Sequence, residues 1–364
     1  MSDIYKLLKP LLFRLDAETS HDLTMGFLST ASRSKFLCNR IEGQWGCHVP
    51  RLPTQIMGID FLNPVGLAAG MDKNASALDA FATMGFGWLE VGTVTPLPQP
   101  GNPTTRMFRV TNHDAIINRM GFNSCGLEKF LQNLKQRRTE IPVGINIGKN
   151  AATPLEKAAD DYIICLDAVY RHADYVTVNI SSPNTKDLRT LQDDQALSSL
   201  LEKISAKRAE LSDKLQRPLP VALKIAPDLD DEQIKTIAQL VSHHHVDAII
   251  ATNTTTLRPQ IETMPVASEN GGLSGVPLQD LSNSVIRDFR KHLDTKIPII
   301  GVGGTFGADD AWNKIEAGAS AVQIYTGLIY RGPALIAEIA ERFAYEIRRN
   351  KLYSFNELAQ SVHR

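Results

Sequence analysis

Short apolar runs in this 364-residue chain end, one after another, in side chains that can do chemistry. Run 65–68 leads into Ala69, Gly70, Met71, Asp72, Lys73 and Asn74, run 88–92 into Thr93, and run 143–146 closes on Asn146. Run 175–179 closes on Asn179 and leads into Ser181, Ser182, Asn184 and Thr185. Run 221–224 closes on Lys224, and run 248–252 leads from Thr252 into Asn253 and Thr254. Amides and hydroxyls in this number, with two lysines and few carboxylates, suit a planar, amide-rich ring held by neutral hydrogen bonds. A sugar or metal site would be more acidic. Any one asparagine or threonine also reads as a turn former ending a strand, but the set taken together does not.

Glycine supplies a second signal in GVGG at 301–304, in Tyr325-Thr326-Gly327 and in GGLSG at 271–275. Glycines let backbone N–H groups approach phosphate oxygens, and the corner after the seventh and eighth strands of a βα barrel commonly binds phosphate. A phosphorylated ligand or cofactor is expected there. Lys224 leaves two chemistries open: covalent attack in a phosphate-binding lyase or isomerase, or stabilisation of negative charge building on a ring. Lys73 fits the second role. His243, His244 and His245 fall at a helix end on the far side of such a barrel, where they suit the helix C-terminus better than a metal. Cys125 sits in a glycine-rich loop with no base in view.

These residues need a scaffold that brings strand ends together. With runs 299–302 and 321–325 the apolar theme occurs eight times, and helical patterns at 160–172, 196–211 and 231–243 separate several of the runs. That alternation predicts an α/β fold, a closed (β/α)8 TIM barrel over residues 64–350. A doubly wound open sheet is the alternative, disfavoured because no G-x-G-x-x-G follows the first strand. Residues 96–141 read as an elaborated segment on the barrel's top face. Before the barrel, Ile4, Leu7, Leu8, Leu11, Leu12 and Leu15 recur at helical spacing with Lys6, Lys9 and Arg14 between them. Asp16 then reads as a cap, and Leu23, Met25, Phe27 and Leu28 as a second helix, giving a helical hairpin over residues 1–40. The hairpin either packs on the barrel or lies on a membrane surface at the door of an apolar ligand. Residues 41–63 read as a connector with little helix, and 351–364 as a tail.

Composition bounds the partners. With 39 basic and 40 acidic side chains there is no global field for a polyanion, so nucleic acid is not expected. Cys38, Cys47, Cys125 and Cys165 form no C-x-x-C pair, so neither a metal site nor a disulfide framework is expected. No apolar run reaches the ~18 residues of a membrane span.

Longer strings carry a resemblance. NPVGLAAGMDKN at 63–74, GTVTP at 92–96, NRMGFN at 118–123, NISSPNT at 179–185, KIAPD at 224–228, ATNTT at 251–255, GGLSG at 271–275 and IGVGG at 300–304 resemble the dihydroorotate dehydrogenase family in order along nearly the whole chain. Serine at 182 and the N-terminal hairpin resemble class 2, the membrane-associated, quinone-reducing type; class 1 has cysteine there and lacks the hairpin. The resemblance implies FMN-dependent oxidation of (S)-dihydroorotate to orotate, the fourth step of de novo pyrimidine synthesis, with a quinone as acceptor. Ser182 is then the base at C5 while hydride passes from C6 to flavin N5. Lys73, Asn118, Arg119, Met120, Gly121, Phe122, Asn179, Asn184, Asn253 and Thr254 are expected around the substrate. Ala69, Gly70, Met71, Asp72, Lys73, Thr93, Asn146, Asn179, Lys224, Thr252, Gly275, Gly304, Tyr325 and Thr326 are expected around FMN, and His21, Arg109 and Tyr325 along the quinone path. A monomer on the cytoplasmic side of a bacterial cell membrane, peripherally bound, is the expected setting. Two positions depart from the family pattern: Ser124, where many relatives have asparagine, is expected to weaken a loop hydrogen bond, and Asp187, where they have glycine, to alter the loop over the substrate.

Overall fold

The computed structural model describes residues 4–363; residues 1–3 and 364, the outer ends of the expected hairpin and tail, lie outside the described residues. The eight apolar runs form β1 (Val65–Leu67), β2 (Trp88–Val94), β3 (Val143–Ile147), β4 (Tyr175–Asn179), β5 (Val221–Ile225), β6 (Ala248–Ala251), β7 (Ile299–Val302) and β8 (Ala321–Ile324). Each strand pairs in parallel with its neighbours in chain order, and β8 closes on β1 with Val322 opposite Val65. The sheet is therefore a closed (β/α)8 barrel, which excludes the open, doubly wound alternative. All residues of these strands are buried, because helices cover the outside and side chains fill the inside, so the runs are apolar without alternation.

The interior fills by matching large side chains to missing ones. Trp88 and Tyr175 begin β2 and β4 and occupy the lower layer. A Cβ at Gly66 would lie 2.2 Å from the Trp88 ring, and one at Gly144 2.1 Å from the Tyr175 ring, so β1 and β3 leave room for them. Beneath this layer an antiparallel pair, Thr54–Ile56 with Ile59–Phe61, forms a floor, and Phe61 stacks on Trp88 with ring centroids 4.5 Å apart. Over the mouth, Met107–Val110, Ala115–Asn118 and Gly272–Gly275 make a three-stranded rim sheet.

The N-terminal segment is larger than a hairpin. Helices α1 (Ile4–Leu12) and α2 (Ala17–Ser32) form as the periodicity predicts, and Asp16 caps α2 by accepting the Glu18 and Thr19 N–H groups at 3.0 and 3.1 Å. A third helix, α3 (Lys35–Gln44), runs across the expected boundary at residue 40, and the floor strands follow it. The expected connector, residues 41–63, holds little helix, namely the last four residues of α3 and a short turn at Gly46–His48, and it also carries the floor strands. Helix α3 buries only Cys38 and Ile41, too narrow a stripe to register as a period, and the connector's prolines flank a real strand pair. The tail also folds: helix Phe355–Val362 buries Phe355 and Leu358, and the Asn356 amide bonds both the N–H and the C=O of Gln55, at 2.9 and 2.8 Å.

Burial on the N-terminal helices is one-sided. Leu28 and Ala31 of α2 join the barrel's core, whereas α1 buries no residue at all. Of the fourteen exposed large hydrophobic side chains among the described residues, Ile4, Leu7, Leu8, Leu11, Leu15, Leu23, Phe27 and Phe36 lie in this segment. No described helix is long and apolar enough to cross a membrane.

Candidate active site

At the C-terminal ends of the strands a cavity with about 1020 Å³ of open space gathers most of the expected residues. The β1 end contributes Ala69, Gly70 and Lys73, β2 contributes Thr93, and the segment after the rim strand contributes Asn118, Met120, Gly121 and Phe122. Asn179, Ser182 and Asn184 follow β4, Lys224 lies on β5, and Thr252, Asn253 and Thr254 follow β6. Gly275, Gly304, Tyr325 and Thr326 complete the wall. Ser274, Gly303, Thr305 and Gln323 line it as well, unanticipated individually. Ser274 and Gly303 lie inside the glycine strings already noted. Gln323 could have been read from period-two alternation, since it stands two residues before Tyr325 on an inward-facing strand.

Several expected residues stand elsewhere. The Arg119 side chain turns away to pair with Glu269 at 2.5 Å and lies over the Phe108 ring. Met71 is packed in the hydrophobic core. Asp72 is completely buried and accepts the N–H groups of Ser76 and Ala77 at 2.9 and 2.8 Å, so it shapes the loop behind Lys73 instead of touching a ligand. Arg109 spends its guanidinium on the hairpin, donating to Leu15 O at 2.7 Å and Ser20 Oγ at 2.8 Å while lying over the Phe13 ring. Burial, with a smaller contribution from the charge of Lys73, pushes the His21 imidazole down to about 3. Tyr325 does line the cavity, its ring edge against Gly70 and its hydroxyl donating to Gly70 O at 3.4 Å.

Asn146 lies one layer below the cavity and organises its base. Its Oδ1 accepts from the Thr93 hydroxyl at 2.5 Å and from Asn179 Nδ2 at 3.1 Å. Asn179 Oδ1 accepts in turn from Ser181 Oγ at 3.2 Å and Asn253 Nδ2 at 3.4 Å. Amides from β3, β4 and the β6 end thus form one connected, oriented set.

The Ser182 loop is held from behind. Arg189 donates to Ser181 O at 3.1 Å, to Asp228 at 2.6 Å and to Thr254 O at 2.7 Å, tying together the loops that follow β4, β5 and β6. Ser182 is buried, and its Oγ accepts the Asn184 N–H at 3.3 Å. Thr185 Oγ, three residues on, is buried without a partner. The two departures have local explanations. Ser124 Oγ accepts the N–H groups of Thr95 and Gly126 at 3.3 and 3.1 Å, so the loop hydrogen bonds expected to weaken are made. Asp187 has φ +56, a conformation that glycine adopts freely and aspartate tolerates.

The cavity's cations are unneutralised by contact. Neither Lys73 nor Lys224 makes a hydrogen bond or ion pair among the described residues. Burial, aided by Arg106, pushes Lys73 down to about 8, and Asp22 and Glu18 of α2 oppose the fall. Burial also lowers Lys224, with Glu90 opposing. At the opposite wall, among the described residues, the N–H groups of Gly303 and Gly304 make no backbone bond, and the hydroxyls of Thr252 and Thr305 are buried without partners. An apolar cluster of Phe13, Ala17, Met107, Ile116, Met120 and Tyr330 joins the hairpin to the cavity through Met120.

Known proteins share this arrangement at the level of sequence and fold. The family model described as dihydroorotate dehydrogenase matches residues 51–347. Proteins named dihydroorotate dehydrogenase (quinone) from Burkholderia pseudomallei (strain 1106a) and Paraburkholderia phymatum are each 52% identical over 343 residues, covering 94% of this chain and 99% and 98% of theirs. The crystal structure of DHODH from Eimeria tenella in complex with ferulenol superposes with a TM-score of 0.85 at 37% identity, covering 94% of each chain. Its ligand-free form gives 0.82 at 38%, covering 94% of this chain and 98% of that one. With so much of its length matched, the chain belongs to the dihydroorotate dehydrogenase family.

Proposed function

We propose that this chain oxidises (S)-dihydroorotate to orotate, the fourth step of de novo pyrimidine synthesis, with FMN as resident cofactor and a membrane quinone as acceptor. The single observation that carries the reading is one cavity lined by Ser182, four asparagines and two unpartnered lysines, with a wall of unpaired N–H and hydroxyl groups opposite. The donor set fits the cofactor. Gly303, Gly304, Thr305 and Thr326 suit its phosphate, while Ala69, Gly70, Thr93, Thr252, Gly275, Lys224 and Tyr325 suit its ribityl chain and ring. FMN, when bound, supplies a hydride acceptor at N5 and the means of passing electrons to a quinone.

The chain's own residues do the rest. Asn118, Asn179, Asn184, Asn253 and Thr254 orient the pyrimidine through its amide edges, and Lys73 holds its carboxylate. Ser182 removes the C5 proton. A serine hydroxyl is a weak base, so its own proton must pass onward, and the buried, unpartnered Thr185 hydroxyl is the candidate receiver. Lys224 stabilises negative charge arising from the oxidation. His21, neutral at physiological pH, and the apolar cluster around Met120 suit the approach of a quinone. Arg109 contributes by anchoring the hairpin. The exposed leucines of α1 support peripheral attachment to a membrane surface, and the cytoplasmic face of a bacterial membrane, with the chain a monomer, is the setting proposed with it.

Anaerobic mixing of the purified protein with dihydroorotate tests the reading. A yellow protein whose flavin band bleaches is expected; a colourless protein that takes up no FMN would sink it. Reductive trapping of substrate on Lys224 with borohydride would favour the lyase or isomerase alternative.

A further inference from the structure

One ionisable side chain at the centre of the barrel has no part in the reaction above. Glu90 is completely buried on β2, and its three hydrogen-bond partners are neutral: Asn146 Nδ2, the Tyr175 hydroxyl and Gln323 Nε2, each at 2.9 Å. A buried carboxylate is costly to keep, and a barrel interior needs none for packing.

Its first effect is orientation. A carboxylate only accepts, so Asn146 must turn its NH2 group down toward Glu90 and its carbonyl up toward Thr93 and Asn179. Asn179 is then compelled to offer Nδ2 to Asn146 and Oδ1 to Ser181 and Asn253. The direction of every amide in the cavity's base thus descends from one carboxylate. Its second effect is charge. Lys224 stands opposite Asn179 in the strand register, buried and without a contact partner among the described residues, and the attraction of Glu90, on the barrel's second strand, opposes its desolvation.

We propose that Glu90 is a positioning residue that fixes the amide orientation beneath the substrate and, as the remote counter-charge of Lys224, holds down the reduction potential of the bound flavin. The inference rests on the reading that FMN occupies this cavity. Negative charge in a low-dielectric interior opposes the negative charge a flavin gains on reduction, so removing it must make reduction easier.

Anaerobic redox titration of the holoenzyme, together with steady-state kinetics, tests this on two variants. Glu90→Gln keeps the shape, loses the charge and leaves at least one of the three donors without an acceptor. It should raise the midpoint potential and also raise KM for dihydroorotate about tenfold, the scale of one charge-assisted hydrogen bond. Glu90→Asp keeps the charge but shortens the reach, so KM should rise while the potential stays near that of wild type. Equal shifts of potential in both variants, or none in Glu90→Gln, overturn the proposal. If Glu90→Gln fails to fold, reduced-minus-oxidised infrared spectra of wild type and Glu90→Asp decide. An ionised-carboxylate band that moves between the two supports the role, and identical spectra refute it. A wild-type protein that takes up no flavin defeats the functional reading and this inference together, whereas normal bleaching with an unmoved Glu90→Gln potential defeats the inference alone.

Discussion

The barrel mouth and the N-terminal helices break the usual rule of burial in opposite directions. The mouth buries Lys224, Asn146, Asn179 and several hydroxyls, some of them without partners among the described residues. The helices expose leucines and phenylalanines on α1, α2 and α3. Each inversion is unfavourable to the isolated chain and becomes favourable when something outside the chain completes it: a polar ligand in the first case, an apolar environment in the second. The two regions are also coupled, because Glu18 and Asp22 of α2 help to keep Lys73 charged at the cavity.

Four experiments would break or sharpen that contrast, in order of falling effect. Ser182→Ala should slow reduction of the flavin by dihydroorotate at least ~100-fold, the usual scale for a lost general base, in stopped-flow mixing. A near-normal rate would remove Ser182 from the chemistry. Arg189→Ala frees the loop that carries Ser182, and kcat/KM should fall about thirtyfold while quinone reoxidation of prereduced enzyme stays unchanged. On the other side of the contrast, Leu7→Asp with Leu11→Asp should weaken binding to anionic lipid vesicles at least about tenfold in co-sedimentation. Flavin reduction should be untouched. The coupling itself has a pH signature: Lys73 is charged below its value of about 8 and loses its hold on an anion as pH rises through it. Dihydroorotate kcat/KM should therefore fall about tenfold per pH unit above about 8, and Lys73→Arg should abolish that limb.

Much of the barrel was legible because its strands are buried on both faces, so each appears as an uninterrupted apolar run that turns polar where the cavity begins. That Ser182, Asn179 and Lys224 line the cavity was readable for the same reason, since each stands at or just beyond the end of such a run. Glu90 was not. It sits inside the run of β2, and a single charge within an apolar strand says nothing of the Tyr175, Gln323 and Asn146 groups that three other strands bring to it. The direction of the Arg119 side chain was not readable, because position along the chain does not fix where a long side chain goes, and Glu269 pairs with it. The helix α3 and the floor strands escaped notice because their buried residues are few and their partners lie far along the chain.

The Phe61 ring laid against Trp88 stoppers the barrel at its lower end. With the lower interior filled, the cavity lies at the strand C-terminal ends, and ligands that enter it from that face share one rim. Traffic of two dissimilar compounds through that face must then be sorted around a single rim, by side and not by end.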